Sequence, residues 1–163
     1  MIDRIASAST FVGAIGSALM AGVLLAFSIS VLPGLKTLPV PVAMSSMQSA
    51  NAAILNPLFL ILFMGTALSC VVAAAATPFT DGGRSALIIT GAVLYVVGCF
   101  AVTVMLNVPL NDALAAADST TATGAATWEK FATEWVLWNN VRIAAATAAC
   151  AVLILGQGRS ALG

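Results

Sequence analysis

Histidine is absent from the chain, and that gap removes the usual general base near neutral pH, the commonest metal ligand and any Ser-His-Asp nucleophile. Charge is nearly as scarce. Charged residues make up 7% of the 163 positions, six Lys plus Arg balancing six Asp plus Glu, so no basic surface exists to offset nucleic-acid phosphates and nucleic acid is not an expected partner. The three cysteines, Cys70, Cys99 and Cys150, stand singly in apolar runs, with no C-x-x-C pair. They read as packed thiols, with soft-metal binding alongside some of the six methionines as the alternative. What is abundant is apolar: 61% hydrophobic residues and a mean hydropathy of +1.07. Too little polar surface is left to cover a soluble globule, so the lipid bilayer is the expected surrounding.

Four uncharged runs, at about residues 11–32, 57–76, 86–106 and 135–155, are long enough to cross it. The expected fold is all-α, a four-transmembrane-helix bundle forming a single domain over 1–163. The first run is too long and too weakly charged at its start for a cleaved signal, and it stops at Pro33-Gly34. A short interfacial helix is expected from Val42 to Leu55, with Met44, Met47, Ile54 and Leu55 apolar and Ser45, Gln48 and Asn51 forming a polar edge. Asn56-Pro57 has the form of an N-cap and first-turn proline opening span two. Thr77 to Arg84, with its Asp81-Gly82-Gly83 turn signal, is a tight connection. Pro109 is expected to kink or end the exit from span three, because it has no N–H for the carbonyl of Met105. Asp118 to Thr127 reads as a mobile polar connector, and from Thr127 a helix is expected to run unbroken into span four.

Four crossings bring the termini to one side and the two long connections to the other. Gln48, Asn51, Asn56, Asn107, Asn111, Asn139, Asn140 and Arg142 therefore gather near one end of the bundle. Trp128, Phe131, Trp135, Trp138 and Arg142 step by 3, 4, 3 and 4, which sets them on one stripe. Arg4, Arg84 and Arg159 on the terminal side, against Lys36 and Lys130 on the other, point to cytoplasmic termini; a plasma (inner) membrane is the expected location. Gly and Ala faces suit close helix packing within one copy, in a homo-oligomer or in a larger complex.

The motifs F-S-x-x-V-L-P-G-L, M-Q-S-A-N followed by N-P-L-F, N-V-P-L-N and W-x-x-W-N-N-V-R, in that order across nearly the whole chain, resemble the anthrone-oxygenase-like family of integral membrane proteins. The matching positions are Pro33, Gly34, Gln48, Asn51, Asn56, Pro57, Asn107, Pro109, Asn111, Trp138, Asn139 and Arg142, whereas Asn140 stands where many relatives have a histidine. The resemblance implies oxidation of a lipophilic anthrone to an anthraquinone by dioxygen, with no metal or organic cofactor.

On that reading the catalytic candidates are Arg142, stabilising an oxyanion in a low-dielectric site, and Glu134 or Asp112 as the base. Gln48, Asn51, Asn107, Asn111 and Asn139 would bind the substrate, and Trp135 and Trp138 would stack on it. The other reading is a non-enzymatic membrane component: a complex subunit, lipid binder or transporter-like module. There the tryptophans form an interfacial belt, Asn107 and Asn111 satisfy carbonyls freed by Pro109, and Arg142 snorkels or ties the helices together. An intramembrane arginine is a functional candidate under either reading.

Overall fold

In lipid a chain must satisfy its own backbone hydrogen bonds, and helix is the local way to do it. The computed structural model describes residues 1–79 and 85–157, and among them there is helix and no strand. Four long apolar helices are α1 (Ile2–Leu35), α3 (Pro57–Phe79), α4 (Ser85–Ala116) and α5 (Ala122–Gln157). A shorter helix, α2 (Val40–Ala53), joins the first two. The Asp81-Gly82-Gly83 turn, Arg84 and Arg159 lie outside the described residues.

Three of the helices run longer than the apolar pattern announced. α1 begins at Ile2 rather than near Phe11, with Asp3 favourably placed in its first turn. Its polar residues bond back to their own helix, Thr10 Oγ1 donating to Ala6 O at 2.7 Å and Ser17 Oγ to Gly13 O at 2.7 Å. α5 starts at Ala122, which shortens the expected connector. There Asp118 Oδ1 accepts from Thr120 N at 2.8 Å and Thr121 Oγ1 accepts from Gly124 N at 3.0 Å, ordering the entry to the helix. These bonds from Thr120 hold the Asp118 carboxyl below its ordinary value, so their contribution is present above that value and lost as pH falls through the depressed one. α4 passes Pro109 and continues to Ala116, and the regular α pattern breaks upstream instead, in wide π turns at Val96–Ala101 and Thr103–Asn107.

At about 1.5 Å per residue, the 36 residues of α5 reach roughly 54 Å. A hydrocarbon core of about 30 Å cannot contain them, so one end of the bundle projects beyond it. The apolar interior divides accordingly. The lower cluster joins α1, α3, α4 and α5 through Met20, Leu24, Phe63, Cys70, Tyr95, Cys99 and Leu153. The upper cluster joins Leu32, Met44, Met47, Leu114, Trp128, Phe131 and Trp135. α2 closes this upper part, burying Met44 and Met47, while Leu55 falls beyond its end and is exposed. Gln48 fastens it by donating to Leu114 O at 2.8 Å and Ala117 O at 3.1 Å, which caps the end of α4. Asn56 caps α3, its Oδ1 accepting from Phe59 N at 3.1 Å. At the opposite end Gln157 Nε2 donates to Ser7 O at 3.1 Å, setting the end of α5 beside the start of α1.

α1 approaches α3 closely because Gly16 has no side chain: a Cβ there would overlap Thr66, including its rigid β-carbon. Gly16→Ala is therefore expected to lower stability in detergent by about 1–3 kcal/mol. Gly22→Ala, where an added methyl meets open space, should leave stability unchanged or raise it. Denaturant unfolding followed by circular dichroism checks the pair.

Candidate functional site

Between the two apolar clusters lies a polar layer centred on Arg142, which is 5% exposed. At the helical rise it stands about 22 Å along α5 from Gln157, and its side chain is enclosed by the bundle rather than turned outward. Its Nη2 donates to Asn139 Oδ1 at 2.8 Å and its Nη1 to Thr103 Oγ1 at 3.1 Å. Asn139, fully buried, donates in turn to Leu24 O at 2.8 Å and Ser28 Oγ at 2.7 Å. Ser28 Oγ donates to Asn140 Oδ1 at 2.9 Å, at the exposed outer rim. Thr103 Oγ1 donates to Cys99 O at 2.7 Å. One hydrogen-bonded chain thus crosses the bundle from α1 through α5 to α4.

Both hydroxyls in this chain come from π turns: Ser28 from Phe27–Val31 and Thr103 from Thr103–Asn107. Such turns add a residue to the helical circuit and recur at functional sites. Neither residue was a sequence candidate. Ser28 was visible within the F-S-x-x-V-L-P-G-L motif, and Thr103 only as a polar residue in an apolar run.

An aromatic ladder leads to the guanidinium. Trp128 stacks on Phe131 at 6.0 Å and Phe131 on Trp135 at 5.6 Å, and Arg142 Cζ lies 5.3 Å from the Trp135 ring centroid. Asn107, 1% exposed, reaches the same place by donating from Nδ2 to Trp135 O at 3.2 Å. The structure therefore brings together Arg142, Asn139, Asn107 and Trp135. Trp138 is half-buried, because Asn139 takes the inward position on the stripe. Asn111 lies one turn beyond Asn107 on α4, and Asn51 one turn beyond Gln48 on α2, both half-buried. Asp112 is exposed and Glu134 half-buried, and neither is a partner of Arg142.

Five buried polar side-chain atoms among the described residues have no hydrogen-bond partner: Arg142 Nε, Trp135 Nε1, Asn107 Oδ1, Asn111 Oδ1 and Asn51 Nδ2. Buried polar groups are normally paired, and three of these five, on Arg142, Trp135 and Asn107, belong to this layer. Burying an ion costs several kcal/mol. Two hydrogen bonds at about 1.5–3 kcal/mol each and a cation-π contact near 2 are of the same order and hold the guanidinium in place, while its Nε donor is left without a partner. No cluster of three or more Cys, Asp or Glu suited to a metal occurs among the described residues. A groove of about 410 Å³ between α1 and α5, lined by Phe11, Ile15, Cys150 and Ile154 among others, lies toward the opposite end and contains none of these residues.

The fold and this layer define a four-span membrane protein with a buried cationic site. Residues 51–152 match the family model for anthrone oxygenase, so the chain belongs to the anthrone oxygenase family. The matched stretch includes Asn107, Asn139 and Arg142 and leaves out Ser28. Comparisons with curated proteins and with solved structures return no match.

If Asn139 holds the guanidinium in place, Asn139→Ala strands both Arg142 Nη2 and Ser28. A loss of about 1–3 kcal/mol in detergent unfolding is expected, against little change for Asn140→Ala at the rim. Equal effects of the two would remove Asn139 from that role.

Proposed function

We propose that the chain is a cofactor-independent oxygenase acting on a lipophilic, anthrone-like aromatic substrate. The observation that carries this reading is the deeply buried Arg142, with only neutral partners and a free Nε, in a family whose name specifies that chemistry. The C–H between an anthrone's rings is acidic because the carbanion left behind delocalises its charge onto the carbonyl oxygen. Arg142 Nε and Trp135 Nε1 supply donors for that oxygen in a low-dielectric setting, where such donors are most effective. Asn107 and Asn111 offer acceptors for phenolic hydroxyls. The electron-rich carbanion then reacts with dioxygen itself. One oxygen atom becomes the new carbonyl, and the other leaves as water with the two hydrogens lost from carbon. Gln48 serves this site by holding α2 over it. In this reading half-buried Trp138 stacks on the substrate and Asn51, one turn beyond Gln48, is a further polar contact for it. The termini face the cytoplasm of a plasma (inner) membrane, which puts the site toward the other face.

The second reading, a non-enzymatic membrane component, draws on Gln48 and Asn139, whose amides are engaged by backbone and side-chain partners. Oxygen uptake by the purified protein with an anthrone separates the two. Loss of one charged donor to a developing oxyanion costs on the order of 10²–10³ in kcat, and Arg142→Gln is expected to lose that much while remaining folded. Uptake that survives the substitution would take Arg142 out of the reaction.

A further inference from the structure

We propose that the site receives its ligand already ionised: the charge balancing Arg142 arrives on a planar, lipophilic organic anion, and no side chain of this chain acts as the proton acceptor. The inference rests on the oxygenase reading for the kind of ligand and on the structure for its charge state.

The groups facing the guanidinium can be followed element by element. From α1 come the Leu24 carbonyl and the Ser28 hydroxyl, engaged through Asn139; from α4, Thr103; from α5, Asn139 and the Trp135 ring. All are neutral. Cys99 on α4 is the titratable residue whose carbonyl accepts from Thr103 Oγ1, the guanidinium's partner on that helix. α2 carries no titratable residue and α3 only Cys70, which lies in the lower cluster. The acidic residues of α1, α4 and α5 are Asp3 at the far end, exposed Asp112, exposed Glu129 and half-buried Glu134. Glu134 is about 12 Å along α5 from Arg142, and Asp112 about 13 Å along α4 from Thr103. Histidine is absent.

A guanidinium stays protonated, so the layer holds one fixed positive charge between two apolar clusters. The matching ligand has one negative charge and an otherwise apolar body. Arg142 Nε and Trp135 Nε1 are both unpaired donors, and Arg142 lies over the ring that carries the second. An oxyanion suits that pair. Asn107 is oriented by its bond to Trp135 O so that its free atom is an acceptor, which suits a hydroxyl elsewhere on the same ligand. With no base among the described residues facing the site, the proton goes to water before the ligand enters, and turnover should follow the ligand's own acidity.

The test uses a monohydroxyanthraquinone, which dioxygen does not consume and whose visible absorption changes on ionisation, bound to the full chain in nanodiscs across a pH series. The bound probe is expected to prefer the anion at least tenfold more than the probe in empty nanodiscs, and its methyl ether to bind at least tenfold more weakly. Arg142→Lys should keep most of the preference, and Arg142→Gln, checked for folding by circular dichroism, should lose it. A probe bound with its neutral spectrum overturns the inference, as does an ionisation curve that moves with Glu134→Gln or Asp112→Asn. Ionisation on binding without oxygen uptake from an anthrone supports the inference and removes the oxygenase reading. Oxygen uptake with a neutral bound probe does the reverse.

Discussion

The bond from Arg142 Nη2 to Asn139 Oδ1 is the constraint around which the rest of the bundle is arranged. A guanidinium in a water-poor interior must be held by donors' counterparts from more than one helix, because a single helix cannot surround it. Asn139 supplies one from α5 and ties itself to α1, and Thr103 supplies the other from α4. α1 and α4 each depart from regular α geometry where they serve the site, while α5 stays regular throughout. Local backbone irregularity is thus accepted where it lets a hydroxyl face a buried charge.

The same layer explains the division of the apolar interior. Below it, small residues allow helices to approach as lipid-embedded helices do, Gly13 against Cys70, Gly16 against Thr66 and Gly91 against Leu153. Above it, the packing is that of a small soluble core, with Met44, Met47, Leu114 and stacked aromatics under a short helix. The overlength of α5 makes the second core necessary, since its first turns stand outside the hydrocarbon and must bury their tryptophans against something. α2 provides that cover.

Much of this was legible in the sequence. The spans follow from uncharged length, and Arg142 stands out because a fixed charge is rare within such a run. Asn107 and Asn139 follow from their place at the same end of the bundle. The helix ends were less visible, because Ser and Thr that bond back to their own helix, as Thr10 does, lower the apolar signal without ending the helix. Ser28 and Thr103 were harder still: a hydroxyl that bonds within its helix and one that faces a neighbour look the same in sequence, and a π turn has no composition of its own. The stepping pattern puts Trp138 on the stripe with Trp135 and Arg142, and in the structure Asn139 takes that inward place. Packing against α1 turned the asparagine inward.

The central claim is that Arg142 is buried and held, and hydrogen-exchange spectroscopy of the guanidinium N–H groups in arginine-labelled protein in nanodiscs addresses it without assuming any reaction. The Nη–H groups that Arg142 donates to Asn139 and Thr103 should exchange with solvent deuterium far more slowly than those of exposed Arg4, and lose that protection in Asn139→Ala. Exchange of the Arg142 Nη–H groups at the rate of a free side chain would mean that this guanidinium reaches water or headgroups, and the account would fail.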